Sequence, residues 1–153
     1  MLLISHRGNI NGTDSDNENT ISYLKIALRN NFLVETDIIF YKQKYYFGHC
    51  RDSIKEEICL DFLNENFDKM LLHCKDIESL NFIKSFNKFN YFFHERESYV
   101  LTSFKWLISH SSNYEEKLDI KDTIIMLPEK FGLSKTALNN CSGICSDIIS
   151  FYD

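Results

Sequence analysis

Phe32-Leu33-Val34-Glu35-Thr36-Asp37-Ile38-Ile39-Phe40 is a run rich in apolar and β-branched residues that nevertheless carries two carboxylates. Its composition predicts a strand. Side chains alternate along a strand, so Leu33, Glu35, Asp37 and Ile39 share one face and Val34, Thr36, Ile38 and Phe40 the other. Two acids on one face of so apolar a strand are costly to bury without cationic compensation. Mg²⁺ or Ca²⁺ meets that need, because both prefer hard oxygen ligands. A solvent-facing edge strand, its acids turned to water, is the alternative.

Upstream, Ile21, Leu24, Ala27 and Leu28 recur at helical spacing, with Asn19 or Thr20 as the cap. A loop rich in Asn, Asp and Gly separates that helix from a first short strand, Leu2 to Ser5. Downstream, Lys42-Gln43-Lys44 is a tight, hairpin-like connection to a strand over Tyr45 to Gly48. Helices are expected over Asp61 to Asn66 and Ile77 to Phe86. Further strands are expected over Met70 to Cys74, Tyr91 to His94, Tyr99 to Thr102, Thr123 to Leu127 and Gly143 to Ser146. Strands alternating with helices predict a parallel α/β architecture, and the length fits a single domain over residues 1–153.

Hydrophobic residues make up 44% of the chain, with 13 Phe and 8 Tyr, enough for a core and too much for disorder. The net charge of −5 and the lack of a Lys/Arg cluster argue against a nucleic-acid partner. Cys50, Cys59, Cys74, Cys141 and Cys145 form no Cys-x-x-Cys pair, so reduced thiols and a cytoplasmic location are expected. Met1 to Ile4 is too short for a signal peptide and no segment reaches membrane-spanning length, so no membrane span is expected.

Two further stretches share one form. The apolar start of the chain breaks into His6-Arg7-Gly8, and Tyr45 to Gly48 breaks into His49. In order, His6-Arg7-Gly8, Glu18-Asn19-Thr20, Glu35-x-Asp37 and His49 resemble the signature of the glycerophosphodiester phosphodiesterase family, over residues 2–50. His73-Cys74-Lys75 falls where that family has a third metal-binding carboxylate and a lysine two residues on. Gly143-Ile144-Cys145-Ser146-Asp147 is similar to the family's last strand. The sequence departs at Cys50, where the family has aspartate after its second histidine, and at His73, which gives a softer ligand set that also admits Mn²⁺ or Zn²⁺.

The resemblance implies a reduced TIM-type (β/α) barrel, its helices shortened or missing, especially around residues 95–125. It implies His6 and His49 as general acid and base, and a divalent metal on Glu35 and Asp37 with His73. Arg7 and Lys75 would hold phosphate oxygens, His94 and Asp147 would line the substrate pocket, and Glu18 and Asn19 would support the histidine loop. The activity implied is hydrolysis of a small glycerol- or sugar-linked phosphodiester. A lyase that releases a cyclic phosphate and a non-catalytic phospho-ligand-binding module are the alternatives. In so short a barrel, Ile148, Ile149, Phe151 and Tyr152 are expected to lie partly exposed, which motivates a homo-oligomer.

Overall fold

The computed structural model describes residues 1–110 and 122–153. In chain order the elements are β1 (Leu2–His6), α1 (Ile21–Arg29), β2 (Leu33–Tyr41), β3 (Lys44–Gly48), β4 (Ile54–Glu57), α2 (Leu60–Glu65), β5 (Met70–Cys74), α3 (Ile77–Lys84), β6 (Asn90–Phe93), β7 (Tyr99–Leu101), β8 (Leu107–Ser109), β9 (Thr123–Met126) and β10 (Gly143–Ser146). All ten strands join one mixed sheet. β2 is its centre: residues 33–35 pair in parallel with β1, residues 34–38 in parallel with β5, and residues 38–41 antiparallel with β3. β1 continues through β10, β9 and β8, all parallel, to β7, which is antiparallel. β5 continues in parallel to β6.

The sheet curls into a half-barrel, and the expected (β/α) barrel with alternating helices does not form. A parallel crossover needs a dozen or more residues, usually a helix, to return the chain to the same end of the sheet. The links 94–98 and 102–106 are too short for that, so β7 runs antiparallel to β8. The β3–β4 hairpin likewise extends the sheet without a helix. Three α-helices are found among the described residues. Part of the expected gap around residues 95–125 falls on 111–121, outside the described residues. Between the two ends of the curl, the described residues show no strand pairing, although the Ser103 N–H donates to Tyr91 O at 2.8 Å.

The helices stand where the sequence puts them. Thr20, not Asn19, caps α1 by accepting from the Tyr23 N–H, and Asp76 caps α3 in a reciprocal box with Ser79. Their apolar faces pack with Val34, Ile38, Phe47, Leu72 and Cys74 in the core on the convex side. A second convex cluster, including Ile125, Ile144, Ile149 and Tyr152, lies under short 3₁₀ segments near the C-terminus. Ile149 and Tyr152 are therefore buried, and of the four C-terminal apolar residues only Phe151 is strongly exposed, at 61%. That removes most of the apolar face from which self-association was expected.

The concave side holds Ile4, Leu71, Phe92, Ile108, Ile124 and Cys145, with Leu33 packed on them. Strand alternation puts the next inward side chains two residues later, at His6, Glu35, His73, His94, His110 and Asp147. An apolar layer thus floors an ionisable one, at the C-terminal ends of the parallel strands. Trp106 belongs to the floor and, with Phe104, borders a cavity of about 20 Å³ at the opposite end from the ionisable layer. Among the described residues no helix is long and apolar enough to cross a membrane.

Candidate active site

Glu35 and Asp37 are fully buried, because β2 is central and not an edge strand; the solvent-facing alternative for its acids does not hold. β5 lies in parallel register beside it, with Asp37 opposite His73. His73 Nδ1 is 3.1 Å from Asp37 Oδ1 and 3.6 Å from Glu35 Oε1. Lys75, two residues on, sets Nζ 3.7 Å from Asp37 Oδ1. On the other flank, β1 brings His6 Nε2 to 3.9 Å from Glu35 Oε2.

The turn after β1 then doubles back. Arg7 (φ 55) and Gly8 (φ 92) both take left-handed conformations, and a Cβ at Gly8 would lie 2.7 Å from Tyr23 Cδ1. This turn sends Arg7 Nε to 2.8 Å from Asp37 Oδ2, and Arg7 Nη1 donates to Glu18 at 3.3 Å. Asn19, also left-handed (φ 62), donates from its amide to Asp37 Oδ2 at 3.1 Å. Its carbonyl accepts from Thr36 Oγ1 at 2.8 Å and from the Asp37 N–H at 3.0 Å. Glu18 and Asn19 therefore brace the arginine and the aspartate.

Asp147 follows β10 and accepts from His6 Nδ1 at 2.6 Å and from Asn9 Nδ2 at 2.8 Å. Asn9 also donates to Glu18 Oε1 at 2.9 Å, closing a ring around the turn. Glu129, in the 3₁₀ segment Pro128–Phe131, accepts from the Asp147 N–H and from Ser146 Oγ. His49 follows β3 and is exposed at the mouth, where the charges acting on it are those of Asp37, Lys75, Arg7 and His73. His94 and His110 stack in series on His73, with ring centroids 4.8 and 4.3 Å apart.

The electrostatics are uneven. Burial pushes the Asp37 carboxyl up, but His73, Arg7 and Lys75 outweigh it and hold it far below the usual carboxylate range. Burial opposes charge on His73 and His6 too, yet their carboxylate partners raise both overall. Asp147 is lowered on balance, the bond from His6 overcoming its burial. His49 goes the other way: partial burial lowers it. His94 is lowered to about 4 and His110 to about 3, first by burial and then by neighbouring cations, so both are neutral at pH 7.

Glu35 Oε1, Glu35 Oε2 and Asp37 Oδ1 are buried and accept no well-formed hydrogen bond. Such oxygens are expensive to leave with loose cationic neighbours alone. Glu35, Asp37 and His73 offer one ligand atom each within 4.8 Å of one another, a set with the donor chemistry for a divalent cation.

Of the residues singled out in the sequence, His6, Arg7, Glu18, Asn19, Glu35, Asp37, His73, Lys75 and Asp147 form one connected cluster. His94 joins it through ring stacking, and His49 stands at its rim. Asn9, His110 and Glu129 are not among the residues singled out in the sequence. Asn9 lies in a loop without a residue pattern of its own, whereas His110 is legible as the inward step after Ile108. Compared with protein-family models, curated proteins and solved structures, the chain finds no match.

Proposed function

We propose that this chain is a metal-dependent phosphodiesterase acting on a small glycerol- or sugar-linked phosphodiester. The observation that carries the reading is the trio of buried carboxylate oxygens without a well-formed hydrogen bond, set between two histidines, an arginine and a lysine. Glu35, Asp37 and His73 would hold the divalent ion, Mg²⁺, Ca²⁺ or Mn²⁺. When bound, the ion supplies Lewis-acid withdrawal of charge from the phosphoryl oxygens. Arg7 and Lys75 add donors for the remaining oxygens, which an acidic protein needs to accept an anionic substrate.

His6 and His49 divide the proton work. The Asp147 contact fixes His6 Nδ1 as the protonated nitrogen and leaves Nε2 toward the site. Its raised pKa suits the general acid, and the lowered pKa of His49 suits the base. His49 takes a proton from a hydroxyl adjacent to the phosphoester as that oxygen bonds to phosphorus. The bond from phosphorus to the leaving alcohol breaks, and His6 gives that oxygen its proton. Water then opens the cyclic phosphate with the two histidines in reversed roles. All five cysteines are free thiols, which supports a cytoplasmic setting for this activity.

Phosphorus NMR of the protein with Mg²⁺, Ca²⁺ or Mn²⁺ and a panel of glycerophosphodiesters tests the reading. A new monoester resonance is expected from wild type and not from His49→Ala or in EDTA. An accumulating cyclic phosphate resonance would make the protein a lyase. No turnover with any of the ions would overturn the proposal.

A further inference from the structure

Beside the proposed catalytic cluster lies a groove of about 540 Å³ between the end of β2, the segment after His49 and the start of α3. Two of its walls leave the site directly. Arg51 comes two residues after His49, and Lys75, which faces Asp37, is itself a lining residue. The third cation, Lys42, projects from the β2–β3 turn and lies 5.1 Å from the Tyr41 ring centroid.

Lys42, Arg51 and Lys75 face two acids in the groove, Asp76 and Glu78, with Lys75 shared with Asp37 of the catalytic cluster, in a chain whose net charge is −5. Asp76 is also committed elsewhere: its two oxygens accept from the Ser79 N–H at 2.7 Å and the Phe40 N–H at 2.8 Å. Arg51 makes no hydrogen bond or ion pair among the described residues. A guanidinium without a carboxylate, in a groove that shares Lys75 with the proposed phosphoryl site, is matched to a second anion. The volume is in the range of small-molecule sites.

We propose that this groove receives an anionic group, a phosphate or a carboxylate, carried by one alcohol of the substrate, so that the protein selects phosphodiesters with a second negative charge. The inference rests on the phosphodiesterase reading and assigns its substrate class. The scissile phosphoryl group sits at Arg7, Lys75 and the carboxylate pair, and the second anion extends past Lys75 to Arg51 and Lys42. An uncharged alcohol leaves those cations unmatched, and a cationic one is repelled.

The test is kcat/KM for glycerol phosphodiesters whose second alcohol is glycerol, choline, glycerate or glycerol phosphate. The substrates ending in carboxylate or phosphate are expected to exceed the neutral one by about tenfold or more, and comparison of those two identifies the preferred anion. Arg51→Glu should lower that preference about tenfold, mainly through KM, whereas Lys84→Glu, the same charge change at the far end of α3, should keep it. A wild-type preference near one would overturn the inference while the phosphodiesterase reading stands. Equal loss of preference in Arg51→Glu and Lys84→Glu would also overturn it, tracing the effect to overall charge. Turnover of no diester at all would overturn both.

Discussion

Asp147 shows how one carboxylate sets the behaviour of a histidine from the far end of the chain. It receives the His6 ring, while its own backbone N–H is held by Glu129 and its Oδ1 is shared with Asn9. Asp147→Asn keeps the size but lets the imidazole choose the wrong tautomer, and kcat is expected to fall about 10²-fold or more in steady-state assays. Stability carries a second signature. The folded pKa of Asp147 lies below its unfolded value, so its contribution is present above about pH 4 and is lost as pH falls through the folded pKa. That of His6 lies above its unfolded value, so its contribution is present below about pH 6.5 and lost as pH rises through the folded pKa. Urea unfolding in EDTA should therefore separate wild type from Asp147→Asn most between about pH 4 and 6.5, by about 1.5–3 kcal/mol. At this scale the sequence is informative where chemistry demands an unusual residue: a histidine or an acid directly after an apolar run. Asn9 escapes such reading, because an asparagine in a polar loop carries no sign of the partners that the fold will bring to it.

Strands were legible wherever a short β-branched or aromatic run stood between turn residues, and β5 and β10 fall on the predicted residues. β4 and β8 were missed for physical reasons. Ile54–Glu57 carries three charged residues because it is an outer strand of a hairpin, and Leu107–Ser109 is too short to show alternation. Strand direction was the larger error. Hydrophobic pattern says which face is buried, not which way a strand runs; loop length decides that, and two short links reverse β7 where a barrel needs a helix. The β3–β4 hairpin, which carries His49, depends on Gly48. Its φ of 155° is unfavourable for a side chain, and a Cβ there would meet Ser53 O at 2.8 Å and Ile54 Cα at 2.9 Å. Those are backbone atoms and cannot rotate away. Gly48→Ala is expected to cost about 1–3 kcal/mol in chemical denaturation, with the hairpin residues losing amide protection first.

For the whole molecule, thiol chemistry provides a readout that needs no substrate. Cys50 and Cys59 are exposed, and Ser53 lowers the Cys50 pKa through its hydrogen bond. Cys74 is pushed up to about 12, mainly by burial, and Cys145 is raised well above the ordinary thiol value for the same reason. Iodoacetamide at pH 7.5 (about neutral, below the ordinary thiol value of about 8.5) should modify Cys50 and Cys59 in the native protein, as read by mass spectrometry. Cys74, Cys141 and Cys145 should follow only in urea. Rapid native labelling of Cys74 or Cys145 would contradict the packing on both faces of the sheet.

The two-layer concave side has a consequence for how this chain can change over time. Six inward side chains of the chemical layer each stand two residues beyond an apolar anchor, within its strand or one residue past its end, so reactive groups and core share one ruler. One residue added inside β1, β5 or β6 would turn His6, His73 or His94 outward and pull its anchor out of the floor together with it. Length variation among descendants of this sequence should therefore collect in the connections, and drift in the strands should run through substitution alone.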